Sequence, residues 1–287
     1  MLKQRIVTAL ILAPLALFAI LFLPLQGFLL AVAVVMALGA WEWANLTGLT
    51  IGIFKSIYTV LILGICLFLT YSIPIEAIWV QGQLNAVYRW ILSVAALWWF
   101  ISLALIIVYP RYNSFWRTSV FWRGSFGILT LIPTWVAIVT LRTSLYDVEP
   151  LYGASLIFYV LGIVWAADIG AFFVGVKFGR LKLRPNVSPG KTLEGLFGGI
   201  AASSAIIGFA ALHYQVEYSR IWIHLLIGGL TVAVSALGDL NESMFKRSAG
   251  CKDSGNLLPG HGGLLDRIDS LTAAFPIFAL CYVSWMA

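Results

Sequence analysis

Runs of apolar residues recur along the whole chain, each long enough to cross a hydrocarbon core about 30 Å thick as a helix of roughly 17 to 25 residues. The runs fall at about 6–23, 27–45, 57–74, 90–108, 124–141, 153–176, 195–213, 221–240 and 264–285. Most are apolar all round and leave no polar face for water, which excludes a soluble helical bundle. Only 10% of the 287 residues are charged, against about 25% in a soluble domain. The expected fold is therefore an all-α polytopic integral membrane protein of about nine transmembrane helices. Connections are short and no internal repeat is visible, so residues 1–287 read as a single membrane domain. Within it, 1–150 hold the N-terminal spans, and 151–287 hold the later spans and the polar stretches between them. The first run follows Lys3 and Arg5 as a signal peptide would, but it reaches Leu23 without a small-residue cleavage site. It is expected to remain as an anchor.

The net charge of +6 is informative through its placement, and it does not indicate a nucleic-acid partner. With the N-terminus in the cytoplasm, 14 Lys and Arg fall on cytoplasmic segments and three (Arg89, Arg142, Arg220) on the opposite side, with Arg267 at an interface. The positive-inside rule selects that orientation. Arg111, Arg117 and Arg123, interleaved with Trp116 and Trp122, read as an interfacial belt. Cys66, Cys251 and Cys281 lie far apart and read as reduced and incidental.

One stretch breaks the apolar pattern. From Asp239 to Asp269 lie five of the chain's twelve carboxylates, four of its eighteen Lys and Arg, and one of its three His. In the expected topology these residues gather at cytoplasmic depth with Asp168, which implies one polar cavity open to the cytoplasm. Ionisable groups inside a membrane are costly and point to function. Asp266 and Asp269, at i and i+3, share a helix face; Asp239, Glu242 and Ser243 form a similar set one span earlier. Carboxylates from two helices suit a hard cation such as magnesium, which takes one or two carboxylates plus substrate phosphates. The bland alternative pairs these acids with Lys246, Arg247 and Arg267 at the headgroup boundary. Pro259-Gly260-His261-Gly262-Gly263 would let backbone approach an anion closely. Glu42, between Trp41 and Trp43, is read as structural and left out of the site.

The loop 177–195 is the second polar stretch. Its Gly190-Lys191-Thr192 looks like the end of a phosphate-binding loop, but position 185 is proline where a glycine is required and no strand is expected before it, so that motif is rejected. Basic groups and hydroxyls still suit a nucleoside triphosphate; a topology loop touching anionic lipid fits the composition equally well.

The run Ser243-x-Phe-Lys-Arg-x4-Lys252-Asp253-x-Gly-x2-Leu-Pro-x-His261-Gly-Gly-Leu-x-Asp266-Arg267-Ile-Asp269 resembles the pattern of bacterial phosphatidate cytidylyltransferases over all 27 of its residues. Asp168-Ile-Gly-Ala-Phe-Phe-Val-Gly and Ser188-Pro-Gly-Lys191-Thr192-Leu-Glu194-Gly are similar to the same family. The resemblance implies an enzyme of phospholipid biosynthesis in the bacterial inner membrane, joining CTP and phosphatidic acid to give CDP-diacylglycerol and pyrophosphate. It implies a homodimer that needs magnesium with a monovalent companion such as potassium. It also implies Asp239 and Asp266 as the metal-binding carboxylates. Within that reading, Lys252, Asp253, His261 and Asp269 join them as catalytic candidates. Ser188, Lys191, Thr192, Ser243, Lys246, Arg247, Arg267 and Asp168 are candidates for binding substrate. A CTP-dependent lipid kinase of the polyprenol type and a membrane transporter are the competing readings.

Overall fold

The computed structural model describes residues 2–49 and 51–285. The side chains of Lys3 and Arg5, counted above among the cytoplasmic charges, lie outside the described set. The helices are α1 (Leu2–Phe22), α2 (Leu25–Thr47), α3 (Gly52–Ser72), α4 (Ala86–Val108), α5 (Ser114–Arg117), α6 (Val120–Thr143), α7 (Tyr152–Phe178), α8 (Leu193–His213), α9 (Ile221–Ser248) and α10 (Leu265–Trp285). By length and composition, eight of them can cross a membrane (α2, α3, α4, and α6 through α10), and α1 adds a shorter apolar stretch, Leu10–Phe22. The nine apolar runs thus correspond one for one to nine long helices, and the protein is a multi-pass membrane protein.

Three departures from the sequence reading have local causes. Helix α9 continues about two turns past residue 240, to Ser248, because Asn241, Glu242 and Lys246 find partners on neighbouring helices. Asn241, for example, accepts from Ser102 Oγ of α4 at 2.8 Å. Helix α6 starts at Val120 and takes Arg123 inside. That guanidinium is buried and donates to the Leu46 carbonyl at 2.9 Å, a cation placed on the last turn of α2. Trp116 is buried as well, so the belt reading fails for Trp116 and Arg123; Arg111, Arg117 and Trp122 are exposed. Finally, the loop between α7 and α8 contains an antiparallel hairpin, β3 (Lys182–Arg184) with β4 (Ser188–Thr192), where no strand was expected. Lys182 pairs with Thr192 and Arg184 with Ser188. Earlier in the chain, a two-residue pair of strands, β1 (Trp79–Val80) with β2 (Gln83–Leu84), occupies the α3–α4 loop.

The core gathers around α6, whose Leu131, Trp135, Val136, Ala137 and Val139 are fully buried. Three indole N–H groups there find an acceptor, whereas that of buried Trp99 does not. Trp98 donates to Thr130 Oγ1 (3.1 Å), Trp135 to the Leu29 carbonyl (3.1 Å) and Trp43 to the Arg123 carbonyl (2.9 Å). Beside Pro133, Thr134 Oγ1 donates to the Thr130 carbonyl and to the Thr272 carbonyl of α10, at 2.7 and 3.0 Å. The second bond ties the Pro133 turn of α6 to α10.

Helices α7 and α8 approach closely through small residues, as membrane helices do where packing replaces the hydrophobic driving force. A Cβ on Gly170 would lie 2.5 Å from the Gly198 carbonyl oxygen. This contact fixes the α7 segment that carries Asp168 against the helix that follows Lys191. Replacing Gly170 with Ala is therefore expected to lower stability by about 1–3 kcal/mol through overpacking. Gly64→Ala, in α3 with nothing within 4 Å of the new methyl, should leave it unchanged or slightly raised; thermal unfolding of the detergent-solubilised protein compares the two.

Candidate active site

The polar groups of the island converge because three helices and a hairpin meet there. Helix α7 brings Asp168, β4 brings Lys191, α9 brings Asp239, Glu242, Ser243 and Lys246, and α10 brings Asp266, Arg267 and Asp269. A cleft of about 350 Å³ opens among them. Its polar walls are Asp168, Asp239, Asp266, Arg267, Asp269 and Ser270; Val164, Trp165 and Leu271 make the apolar side. Gly238 sets the α9–α10 spacing, since a Cβ there would collide with the Asp269 carbonyl. The next residue, Asp239, therefore stands beside Asp269.

The carboxylates are not left to repel one another. Lys191 Nζ sits 2.6 Å from Asp239 Oδ2, with both side chains about a quarter to a third exposed (24% and 30%). Ser243 Oγ donates to Asp239 Oδ1 at 3.2 Å from one helical turn away. Deeper in, Lys246 Nζ lies 2.6 Å from Asp266 Oδ1 and 3.2 Å from Glu242 Oε1, and all three side chains are nearly or fully buried. One ammonium thus bridges carboxylates of α9 and α10. Asp266 also accepts from the Gly263 amide (2.9 Å) and the Ser254 amide (3.0 Å). The first bond reaches back three residues, in the manner of a capping box, and it closes the glycine turn onto α10. Asp269 accepts from the Ser270 amide at 2.7 Å.

Other candidates lie outside the cleft walls. Thr192 is the N-cap of α8, its Oγ1 accepting from the Gly195 amide at 3.1 Å. Glu194 accepts from the Arg180 and Leu181 amides and ties the hairpin's entry to α8. Ser188 opens β4 opposite Arg184. Arg247 donates to the Val187 and Cys251 carbonyls, joining the end of α9 to the hairpin and to its own loop. Lys252 and Asp253 are exposed on the α9–α10 loop, and His261 is half-buried there. The His261 carbonyl accepts from Arg267 Nη2 at 2.6 Å, which aims that guanidinium along the cleft's rim. All three cysteines are free. The Cys251 thiol, in the loop, is pushed up from its ordinary pKa chiefly by burial, so it is neutral at neutral pH and poorly reactive.

The structure also brings in groups left out of the site on sequence grounds. Glu42 and Asn45 of α2 reach under the α9–α10 loop, and Glu242 shares Lys246 with Asp266. The visible signal for both acids was an ionisable side chain within an apolar span. What sequence spacing did not show is that α2, far away in the chain, packs beside the last loop.

The donor set fits a hard divalent cation. Asp239 and Asp266 line one cleft and offer oxygen ligands. Asp239 meets only Lys191 and Ser243 and can accept more, whereas Asp266 already accepts from Lys246, Ser254 and Gly263, so a cation there would displace one of these donors. Among the described residues no three His, Cys, Asp or Glu side chains group at metal-ligating spacing. A magnesium ion held by these two carboxylates alone would take the rest of its shell from water and substrate oxygens.

A model of the cytidylyltransferase family matches residues 3–285. The chain is 45% identical over 282 residues to a phosphatidate cytidylyltransferase of Pseudomonas aeruginosa, covering 97% of this chain and 96% of that one. It is 40% identical over 291 residues to a phosphatidate cytidylyltransferase of Haemophilus influenzae, covering 98% and 99%. A phosphatidate cytidylyltransferase of Bacillus subtilis matches at 45% over 125 residues, 44% of this chain and 46% of that one.

The two ion pairs predict opposite outcomes when their lysines are truncated. Lys246→Met strands two buried carboxylates and should destabilise the protein by about 3–5 kcal/mol. Lys191→Met opens a pair already in contact with solvent and should change stability by no more than about 1 kcal/mol. Denaturant or thermal unfolding in detergent measures both.

Proposed function

The chain belongs to the cytidylyltransferase family, and on that premise we propose that it is a phosphatidate cytidylyltransferase, joining CTP to phosphatidic acid to give CDP-diacylglycerol and pyrophosphate. The observation that carries this reading is the meeting of Asp168, Asp239, Asp266 and Asp269 with Lys191 and Arg267 in one cleft among apolar helices. Such a cleft serves one reactant that lives in lipid and another that lives in water. The near-full-length relatives named for this activity support it.

In the proposed reaction an oxygen of the lipid phosphate attacks the α-phosphorus of CTP. The bond from that phosphorus to the bridging oxygen breaks, and pyrophosphate leaves with the electron pair. A phosphate monoester is already ionised near neutral pH, so no general base is required. Catalysis is then alignment and charge neutralisation. Lys191, at the solvent-contacting side, and Arg267, at the rim, meet the phosphates. Buried Lys246 acts instead by holding Glu242 and Asp266 in place. Asp239 and Asp266 would hold magnesium, which when bound neutralises charge on the phosphate oxygens. Asp168 and Asp269 shape the remaining wall; a monovalent cation such as potassium would accompany the magnesium. Lys252, Asp253 and His261 belong to the loop that borders the nucleotide, with Ser188, Thr192 and Arg247 bracing the hairpin beside it.

The same reading places the protein as a homodimer in a bacterial inner membrane, N-terminus and cleft facing the cytoplasm. The charge split across the spans supports that orientation.

Incubating purified protein with phosphatidic acid, magnesium and CTP labelled at the α or the γ phosphate tests the reaction. Label from the α position should enter the lipid; label from the γ position in lipid would identify a kinase instead. Transport of substrate across sealed vesicles without chemical change would support a transporter. Asp239→Asn should abolish turnover across a magnesium titration while the protein still inserts and folds; near-normal rates would remove Asp239 from the metal site.

A further inference from the structure

The α9–α10 loop between Ala249 and Leu264 has no strand or helix to hold it. Two carboxylates hold it instead, one on each side. Asp266 takes the amides of Ser254 and Gly263. Glu42, from α2, is 1% exposed; its Oε2 accepts from the Leu265 amide at 2.8 Å and from Ser254 Oγ at 3.4 Å. The amides of Leu264 and Leu257 approach the same carboxyl group. Asn45, three residues further along α2 and so on the same face, donates from Nδ2 to the Ser254 carbonyl at 3.1 Å. Ser254 is therefore gripped at its amide by Asp266 and at its hydroxyl and carbonyl by α2.

Two glycines of the loop exist in this arrangement because the backbone wraps the Glu42 carboxylate. A Cβ on Gly263 would strike Ser254 Oγ first and lie 2.6 Å from Glu42 Oε2, and one on Gly255 would strike Glu42 Oε1. Neither glycine has a left-handed backbone, so close approach explains them, not conformational freedom. An anion buried beneath a loop can organise it where backbone donors replace the lost water.

We propose that Glu42 is a positioning residue for the reaction: its buried carboxylate anchors Ser254 and the first turn of α10, and so fixes the orientation of Asp266 and of the loop that borders the nucleotide. It touches no reacting atom. The effect on catalysis rests on the cytidylyltransferase reading; the anchoring does not. Because the loop faces the nucleotide and not the acyl chains, loss of the anchor falls on one substrate.

The test compares Glu42→Gln with the unaltered protein in two measurements, both on the full chain in detergent–lipid micelles. Hydrogen exchange should speed up at the amides of Ser254, Gly263 and Leu265 while the other helices keep their protection. The KM for CTP should rise by about tenfold, the equivalent of about 1.4 kcal/mol, while the KM for phosphatidic acid stays within about twofold. Gly263→Ala, which forces a methyl between Ser254 Oγ and the Glu42 carboxylate that holds it, should reproduce that split, and the double variant should be no worse than the poorer single one. Unchanged exchange at the three amides overturns the proposal. So does an equal rise in KM for both substrates with protection lost throughout the bundle, which is the mark of a merely structural residue. If Glu42→Gln does not fold, Asn45→Ala decides the matter through the Ser254 carbonyl: a smaller shift of the same kind supports the anchor, and no shift refutes it. Should the unaltered protein form no lipid nucleotide, the activity reading fails, and the exchange measurement alone still upholds or overturns the anchoring.

Discussion

One ammonium group, on Lys246, ties the polar centre of this protein together. It lies between Glu242 and Asp266, carboxylates of α9 and α10, with almost no access to water. Charges buried in a low-dielectric interior are expensive to desolvate, and removal of any one member leaves another without compensation. The triad is thus a poor source of net stability and a strong source of specificity, because few other arrangements of α9 against α10 satisfy all three groups. Asp266 carries the further duty of holding the Gly263 and Ser254 amides. The geometry of the loop and the geometry of the cleft consequently depend on the same carboxylate.

Close approach of helices makes this centre possible. Gly238 lets α9 meet the backbone of α10 beside Asp269, and Gly170 lets α7 meet α8. Within a bilayer such contacts are favoured by packing, since lipid chains are as apolar as the side chains they replace. The outward faces carry Leu15, Phe100, Phe172 and Phe209, all more than half exposed, which suits contact with hydrocarbon. Polar groups turn inward to one cleft, the pattern required where unpaired charge cannot face lipid.

The membrane helices were legible in the sequence because hydropathy over a run of residues is a local property. The site was legible in part. Asp239, Asp266, Asp269 and Asp168 do share a cleft, and Lys191 does reach it from the neighbouring loop. Local pattern could not reveal the β3–β4 hairpin, whose strands are too short and polar to show a period. Nor could it assign hydroxyls and cations correctly between chemistry and bracing. Thr192, read as a substrate-binding candidate, is a helix cap, and Arg123, read as part of an interfacial belt, is a buried cation at the end of α2. Glu42 shows the same limit from the other direction: its burial within an apolar span was visible, but its partners lie more than 200 positions away.

The acids therefore divide by what they touch, and the division follows exposure. Glu42 and Glu242 are almost wholly buried, and each is matched to donors or a cation within the protein. Asp168 and Asp239 border open space, and the Lys191 pair on Asp239 is partly wet. A partly solvated pair is weak enough to be exchanged when an anion or a cation arrives, whereas a buried one is not. An active site for two polyanions needs both kinds: fixed charges that define the shape, and exchangeable ones that can change partner as phosphates bind and leave. Asp266 stands between the two classes, lining the cleft on one side and bonded to the buried framework on the other. It is the group through which a change in the framework reaches the chemistry.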